Sequence, residues 1–172
     1  MILATDVYYF NNQAKAVGVT FESYDNNTIS SISSAIIDNV EDYEPGSFYK
    51  RELPCIIELF LKIDLSQINA IIIDGYVFLD DNRKEGLGAY LYHYLQKKVP
   101  IIGVAKTSFH DNKKNVVEVF RGKSKKPLFV TSIGIDLDLA SSNIKSMYGE
   151  NRFPDLLKLL DQETKNITKS LN

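Results

Sequence analysis

Apolar and polar positions alternate with period two over the first third of the chain. Met1–Phe10, Ala14–Tyr24 and roughly Thr28–Ile37 read as three strands, separated by the turn signals Asn11-Asn12 and Asp25-Asn26-Asn27. This predicts a short antiparallel meander. A loop containing Pro45-Gly46 leads to a segment near 50–63 in which Ile56, Leu59 and Phe60 share one helical face. A continuous apolar run at 69–73, a helical pattern near 84–97 and a second apolar run at 100–104 form a βαβ unit, hence parallel strands. Strand-like segments recur at 115–121 and 127–133 around a Gly122–Lys126 turn, and helical patterns cover about 137–147 and 153–168. The predicted fold class is α/β: a mixed sheet of three antiparallel strands followed by parallel ones, flanked by helices. That order is ribonuclease H-like.

Composition adds few constraints. A chain of 172 residues suits one domain, taken here as 1–172. Its 44% hydrophobic and 24% charged residues are ordinary for a globular protein, and no apolar run has the length of a membrane span. The first residues read directly into a strand, so no signal peptide is expected. Lone Cys55 excludes an internal disulfide, reads as a core residue and fits a reducing, cytoplasmic location.

Charge is more informative. Net charge is −2, yet residues 1–82 hold 4 Lys/Arg against 13 Asp/Glu, whereas residues 83–126 hold 11 against 3. A basic segment beside an acidic half orients a polyanion toward the acids. The plainer alternative is a solvated surface: Lys97-Lys98 complementing a helix end, and Lys123–Lys126 lying in a hairpin turn.

The acids fall at telling places. Ala70-Ile71-Ile72-Ile73 ends in Asp74-Gly75, and Met1–Thr5 ends in Asp6. Glu52 begins the amphipathic segment. A carboxylate at the end of a buried strand needs compensation, by backbone N–H groups or by a metal ion. Asp6 and Asp74 can meet only if their strands are neighbours. Three converging carboxylates would repel unless a cation lay between them, and hard oxygen ligands select Mg²⁺ or Mn²⁺. Such a cluster suits phosphodiester hydrolysis. Other candidates carry less. His93 and His110 share no metal spacing, and Asp80-Asp81 reads as a turn. Tyr8, Tyr9 and Tyr76 could stack on bases, with core packing as the alternative. Neither a phosphate-binding glycine motif nor a Ser-His-Asp signature occurs.

Five segments in order then resemble endonuclease V. They are Asp6 after apolar residues, Tyr43-Glu44-Pro45-Gly46 running to Arg51-Glu52, Asp74-Gly75, Pro100–Thr107, and Arg152-Phe153-Pro154 followed by Asp161. The resemblance spans about 155 residues. It implies a ribonuclease H-like fold and Mg²⁺-dependent cleavage of inosine-containing DNA or RNA, at the second phosphodiester 3′ to the deaminated base. It implies that Asp6, Glu52 and Asp74 bind metal, that Asp161 supports them and that Lys106 sits beside the scissile phosphate. Tyr43, Pro45 and Gly46 would form the wedge at a flipped base. Phe48, Gly75 and Leu87 would line its pocket, with Arg83 nearby. The chain departs from the family pattern at Tyr76–Arg83, which is bulkier than the family's small-residue stretch and lacks its histidine. Further family histidines fall near Tyr90 and at Ile135. A nucleic-acid-binding module that lost cleavage, or a nuclease with another substrate, are the competing expectations.

Overall fold

The computed structural model describes residues 1–167. Among them seven strands form one sheet in the order β3-β2-β1-β4-β5-β7-β6. The strands are β1 Ile2–Phe10, β2 Gln13–Phe21, β3 Ile29–Asp38, β4 Ala70–Asp74, β5 Ile101–Ala105, β6 Val117–Val119 and β7 Leu128–Ile133. The helices are α1 Phe48–Phe60, α2 Leu87–Tyr94, α3 Leu137–Ser146 and α4 Asp155–Lys165. β1, β2 and β3 are antiparallel, β4 and β5 run parallel to β1, β7 runs antiparallel to β5, and β6 pairs antiparallel with β7. This is the ribonuclease H-like architecture that the periodicity predicts. The last residue of the predicted 153–168 helix lies outside the described residues.

Side-chain alternation divides the core between the two faces. Ile2, Ala4, Val17, Val19, Ile72, Ile102, Val104 and Val130 meet α3 and α4 through Ala140, Ile144, Leu156, Leu157 and Leu160. Leu3, Ile71, Ile73 and Ile101 meet α1 and α2 through Ile56, Phe60, Leu87 and Leu91. Ala14, Ala16 and Ala35 leave room for Cys55 and Leu59 of α1. Each fully buried Ile or Leu contributes roughly 1.5–3 kcal/mol, so the two apolar layers hold the helices in place. Cys55 is the core residue expected of it.

Element ends differ where tertiary bonds intervene. α2 starts at Leu87 instead of near 84 because Glu85 bridges to Phe78 and the Leu79 amide donates to the Lys84 carbonyl. The chain after α2 turns through Gln96 and Lys97, both at positive φ, so Lys97-Lys98 lie past the helix end they were expected to cap. β6 is confined to Val117–Val119; Asn115, expected in that strand, instead donates to the Asp80 carbonyl.

Two close approaches fix the sheet's functional edge. The turn after β4 crosses β5 at Gly103, where a Cβ would lie 2.5 Å from both the Gly75 carbonyl oxygen and Thr131 Oγ1. Thr131 Oγ1 in turn accepts from the Val77 amide at 2.9 Å. Beyond β6, the buried Arg121 guanidinium donates to the carbonyls of Lys145, Met147, Gly149, Asn151 and Arg152. That side chain organises the whole connection from α3 to α4.

Gly103→Ala should therefore destabilise the protein by about 1–3 kcal/mol, the usual cost of overpacking against a backbone that cannot retreat. Urea unfolding checks it; an unchanged midpoint would contradict the close approach.

Candidate active site

Asp6 and Asp74 are brought together by strand register. β1 and β4 are parallel and paired up to Thr5↔Ile73, so the next residues are Asp6 and Asp74, side by side on neighbouring strands. By alternation both carboxylates lie on the face covered by α4. With Thr5, Lys106, Phe153, Leu157, Leu160 and Asp161 they line a cavity of about 20 Å³, room for one water-sized occupant.

Glu52 approaches from the other layer. It lies in the first turns of α1, is buried, and its Oε2 accepts from Tyr9 Oη at 3.2 Å. Arg51 lies over the Tyr9 ring, 3.7 Å from its centroid. Burial pushes the Glu52 carboxyl well above its ordinary range, and the charges of Asp6 and Asp74 push the same way. The Asp6 carboxyl is pushed up to about 7, first by burial and then by Asp74; the Val7 amide, donating to it at 2.8 Å, and Lys106 oppose this. Asp74 opens to solvent along one side, yet the protein atoms crowding it raise its pKa too, against the pull of Lys106. Tyr9 is raised by burial and by Glu52. The three acids thus interact electrostatically at one end of the sheet.

Lys106 follows β5 and lines the acid cavity and two wider grooves that adjoin it. Its Nζ stands 4.2 Å from the centre of the Phe153 ring, and its carbonyl accepts from Arg152 Nη2 at 2.5 Å. Asp161, on α4, lines the acid cavity and pairs with Lys165 at 2.8 Å. One groove carries Lys106, Lys123, Arg152 and Lys158 beside Asp161. The other, about 580 Å³, is lined by Tyr43, Gly46, Phe48, Gly75 and Leu87 together with Asp74, Tyr76 and Phe109. Five of the seven residues expected at a nucleic acid therefore meet in one groove. Pro45 lies in the same loop between Tyr43 and Gly46. Arg83 instead stands over the Phe78 ring at 4.7 Å. Tyr76, Val77 and Phe78 turn inward and are buried, with Tyr76 Oη donating to the Thr107 carbonyl. The bulk expected to crowd the groove is mostly absorbed by the core.

The remaining candidates take structural roles. His93 pairs with Glu85 and His110 with Asp111 at the surface. Asp80 accepts from the amides of Asn82 and Lys84, as a turn residue does, whereas Asp81 accepts from those of Lys113 and Lys114 and ties this turn to a distant loop. Tyr9, weighed as a base-stacking candidate, instead engages Glu52 and Arg51, and sequence reading assigned no role at the site to Arg51, Phe153 or Phe109. For Phe153 the signal was its place between Arg152 and Pro154; for Tyr9, its place three residues after Asp6.

Carboxylate oxygens are suitable donors for a hard divalent cation. Thr5, which also lines the cavity, has a buried hydroxyl without a hydrogen-bond partner, a state that a polar occupant relieves. As the side chains stand, no three His, Cys, Asp or Glu among the described residues converge closely enough to hold an ion.

The profile of the Endonuclease V family matches residues 1–162. The chain belongs to that family. An endonuclease V from Streptomyces avermitilis is 21% identical with a TM-score of 0.74, over 98% of this chain and 81% of that one. Human endonuclease V is 18% identical with a TM-score of 0.77, over 99% and 85%. Ciona intestinalis endonuclease V, solved with a 24mer DNA containing an inosine followed by a ribo-adenosine, is 18% identical with a TM-score of 0.80, over 99% and 87%. At these identities the likeness of the endonuclease V structures is one of fold. No curated protein matches the chain by sequence. Among the described residues no helix is long and apolar enough to cross a membrane.

The raised Asp6 pKa has a stability consequence. The folded protein holds a proton on Asp6 up to about pH 7, whereas an ordinary aspartate loses it near 3.8. Between those values the folded state binds more protons, so the metal-free protein should lose stability as pH rises from about 4 to about 7. Thermal melts in chelator should show Asp6→Asn with a flatter profile over that window; identical slopes would refute the assignment.

Proposed function

We propose that this protein is a metal-dependent endonuclease that hydrolyses a phosphodiester near a deaminated base, inosine, in DNA or RNA. The observation that carries this reading is the matched pair Asp6 and Asp74, electrostatically coupled to buried Glu52 and flanked by Lys106. Family membership and the inosine-containing DNA bound by the Ciona relative support the substrate class. Lone Cys55 supports a reducing compartment such as the cytoplasm, and the chain is read as one endonuclease V domain.

In this reading Asp6, Glu52 and Asp74 hold Mg²⁺, or Mn²⁺ in its place. Bound there, the ion neutralises phosphate charge and makes water a better nucleophile. Lys106 steadies the charge that develops on the phosphate oxygens, a preorganised role in a partly desolvated site. Asp161 holds Lys165 and contributes negative charge at the cavity wall. Tyr43, Pro45 and Gly46 form the wedge: Gly46, at positive φ, allows the turn, and exposed Tyr43 offers a stacking face. Phe48, Gly75 and Leu87 receive the flipped base, and its extrusion requires a groove of this kind. Arg83, turned onto Phe78, serves that wall from behind.

A second reading has one specific observation in its favour. Because no three acids converge on a point among the described residues, a nucleic-acid-binding module that no longer cleaves fits the same surface. Cleavage assays with Mg²⁺ or Mn²⁺ on oligonucleotides carrying inosine, uracil, an abasic site or a mismatch, in DNA and RNA, separate the two. Inosine-directed cutting supports the first reading. Binding without any cleavage supports the second.

Asp74→Asn should abolish cleavage while leaving the fold intact, because it keeps the side chain's shape and relieves like-charge repulsion in the metal-free protein. Near-normal turnover by this variant at saturating metal would count against the assignment. Lys106→Ala should lower kcat by about 10²–10³, the range for losing one preorganised donor. An effect confined to KM would make Lys106 a binding residue only.

A further inference from the structure

β1 does not stop at the acids. Its pairing with β4 ends at Thr5, but its pairing with β2 continues to Phe10↔Gln13, so a β1–β2 hairpin overhangs the site. Alternation assigns the overhanging residues to two faces. Val7 and Tyr9 turn toward α1, where Tyr9 engages Glu52 and Arg51. Tyr8 and Phe10 turn the other way, onto the face that carries Asp6. Tyr8 lies two residues, about 7 Å, along the strand from Asp6. Its ring lies nearly parallel to that of Phe10, with centroids 6.3 Å apart and planes 16° apart. Tyr8 is 36% exposed. Phe10 is half-buried, and burial does not account for an exposed tyrosine stacked on it beside a carboxylate cavity.

We propose that Tyr8, backed by Phe10, is a stacking platform for a nucleobase of the strand whose phosphate lies at Asp6 and Asp74. This inference rests on the nuclease reading and adds to it a second base contact, on the opposite side of the acids from the Tyr43–Phe48 groove. Three features favour a nucleobase over a peptide or lipid. The ring presents a face that stacks on any base regardless of sequence. It adjoins the carboxylates where a phosphodiester would be held. Lys165, within electrostatic reach of both Asp6 and Tyr8, provides positive charge beside the platform.

The test uses the full chain, fluorescently labelled single-stranded inosine oligonucleotides, and Ca²⁺ in place of Mg²⁺ so that the strand is bound and not cut. Tyr8→Ala should weaken binding about tenfold, the usual effect of losing one stacking face, and Tyr8→Phe should bind as the wild type. An abasic site is then moved through the oligonucleotide one position at a time. At one position it should cost the wild type the same tenfold, and there Tyr8→Ala should lose nothing more, since the two changes remove one contact. Tyr8→Leu keeps apolar bulk without an aromatic face and serves if the alanine variant fails to fold. Binding by Tyr8→Ala and Tyr8→Leu within twofold of the wild type would overturn the proposal, as would fully additive losses at every position. Parallel cleavage with Mg²⁺ distinguishes the failures. Cutting with no Tyr8 effect removes the platform and keeps the nuclease. A Tyr8 effect without cutting keeps the platform and removes the nuclease. Oligonucleotides that do not bind at all overturn both.

Discussion

Two carboxylates held at the same height on adjacent parallel strands are the constraint around which the molecule is arranged. The β1–β4 register, paired up to Thr5↔Ile73 between strands buried on both faces, brings Asp6 and Asp74 next to each other. The core that fixes the register therefore also maintains the repulsion. Glu52, delivered from the opposite layer by the amphipathic face of α1, adds to it. Burial raises the pKa of all three acids, and the charge of neighbouring acids adds to the rise at Asp6 and Glu52. A cation or bound protons can balance the site, and the switch between them links acidity to folding.

Much of this was legible in the pattern of residues. Ile71, Ile72 and Ile73 announce a strand covered on both faces, and the βαβ spacing makes it parallel to its successor. The alternation in residues 1–37 gives the meander. Whether Asp6 would meet Asp74 depended on β4 inserting between β1 and β5, a long-range pairing that local periodicity does not encode. The roles of Tyr9 and Arg51 were missed because they are relational: Tyr9, read as a possible base-stacking residue, hydrogen-bonds Glu52, Arg51 covers that tyrosine, and neither partner is near in sequence. The early start assigned to α2 has a similar cause. Lys84 and Glu85 fit a helical pattern locally, but Leu79 and Phe78 engage them first.

The stretch from Tyr76 to Phe78 shows how size in a sequence differs from size in a structure. Three bulky residues after Asp74-Gly75 read as an obstruction. Gly103 lets the turn sink against β5, Thr131 bonds the Val77 amide, Val77 and Phe78 join the core, and Tyr76 alone of the three lines the groove. Small residues one strand away create the space that large residues appear to remove.

Arg121 answers carbonyl groups and no carboxylate, all in the connection that ends at Arg152 and Phe153. Those two residues in turn hold Lys106 by its carbonyl and its ammonium. The placement of Lys106 thus depends in part on one guanidinium near the far edge of the sheet. A lysine there would keep the charge but has three donors where the connection presents five acceptors. Arg152 on the Pro127 carbonyl and the Tyr148 amide on the Tyr24 carbonyl share the load, so loosening Arg121 would shift Lys106 while the sheet and its acids stayed in register.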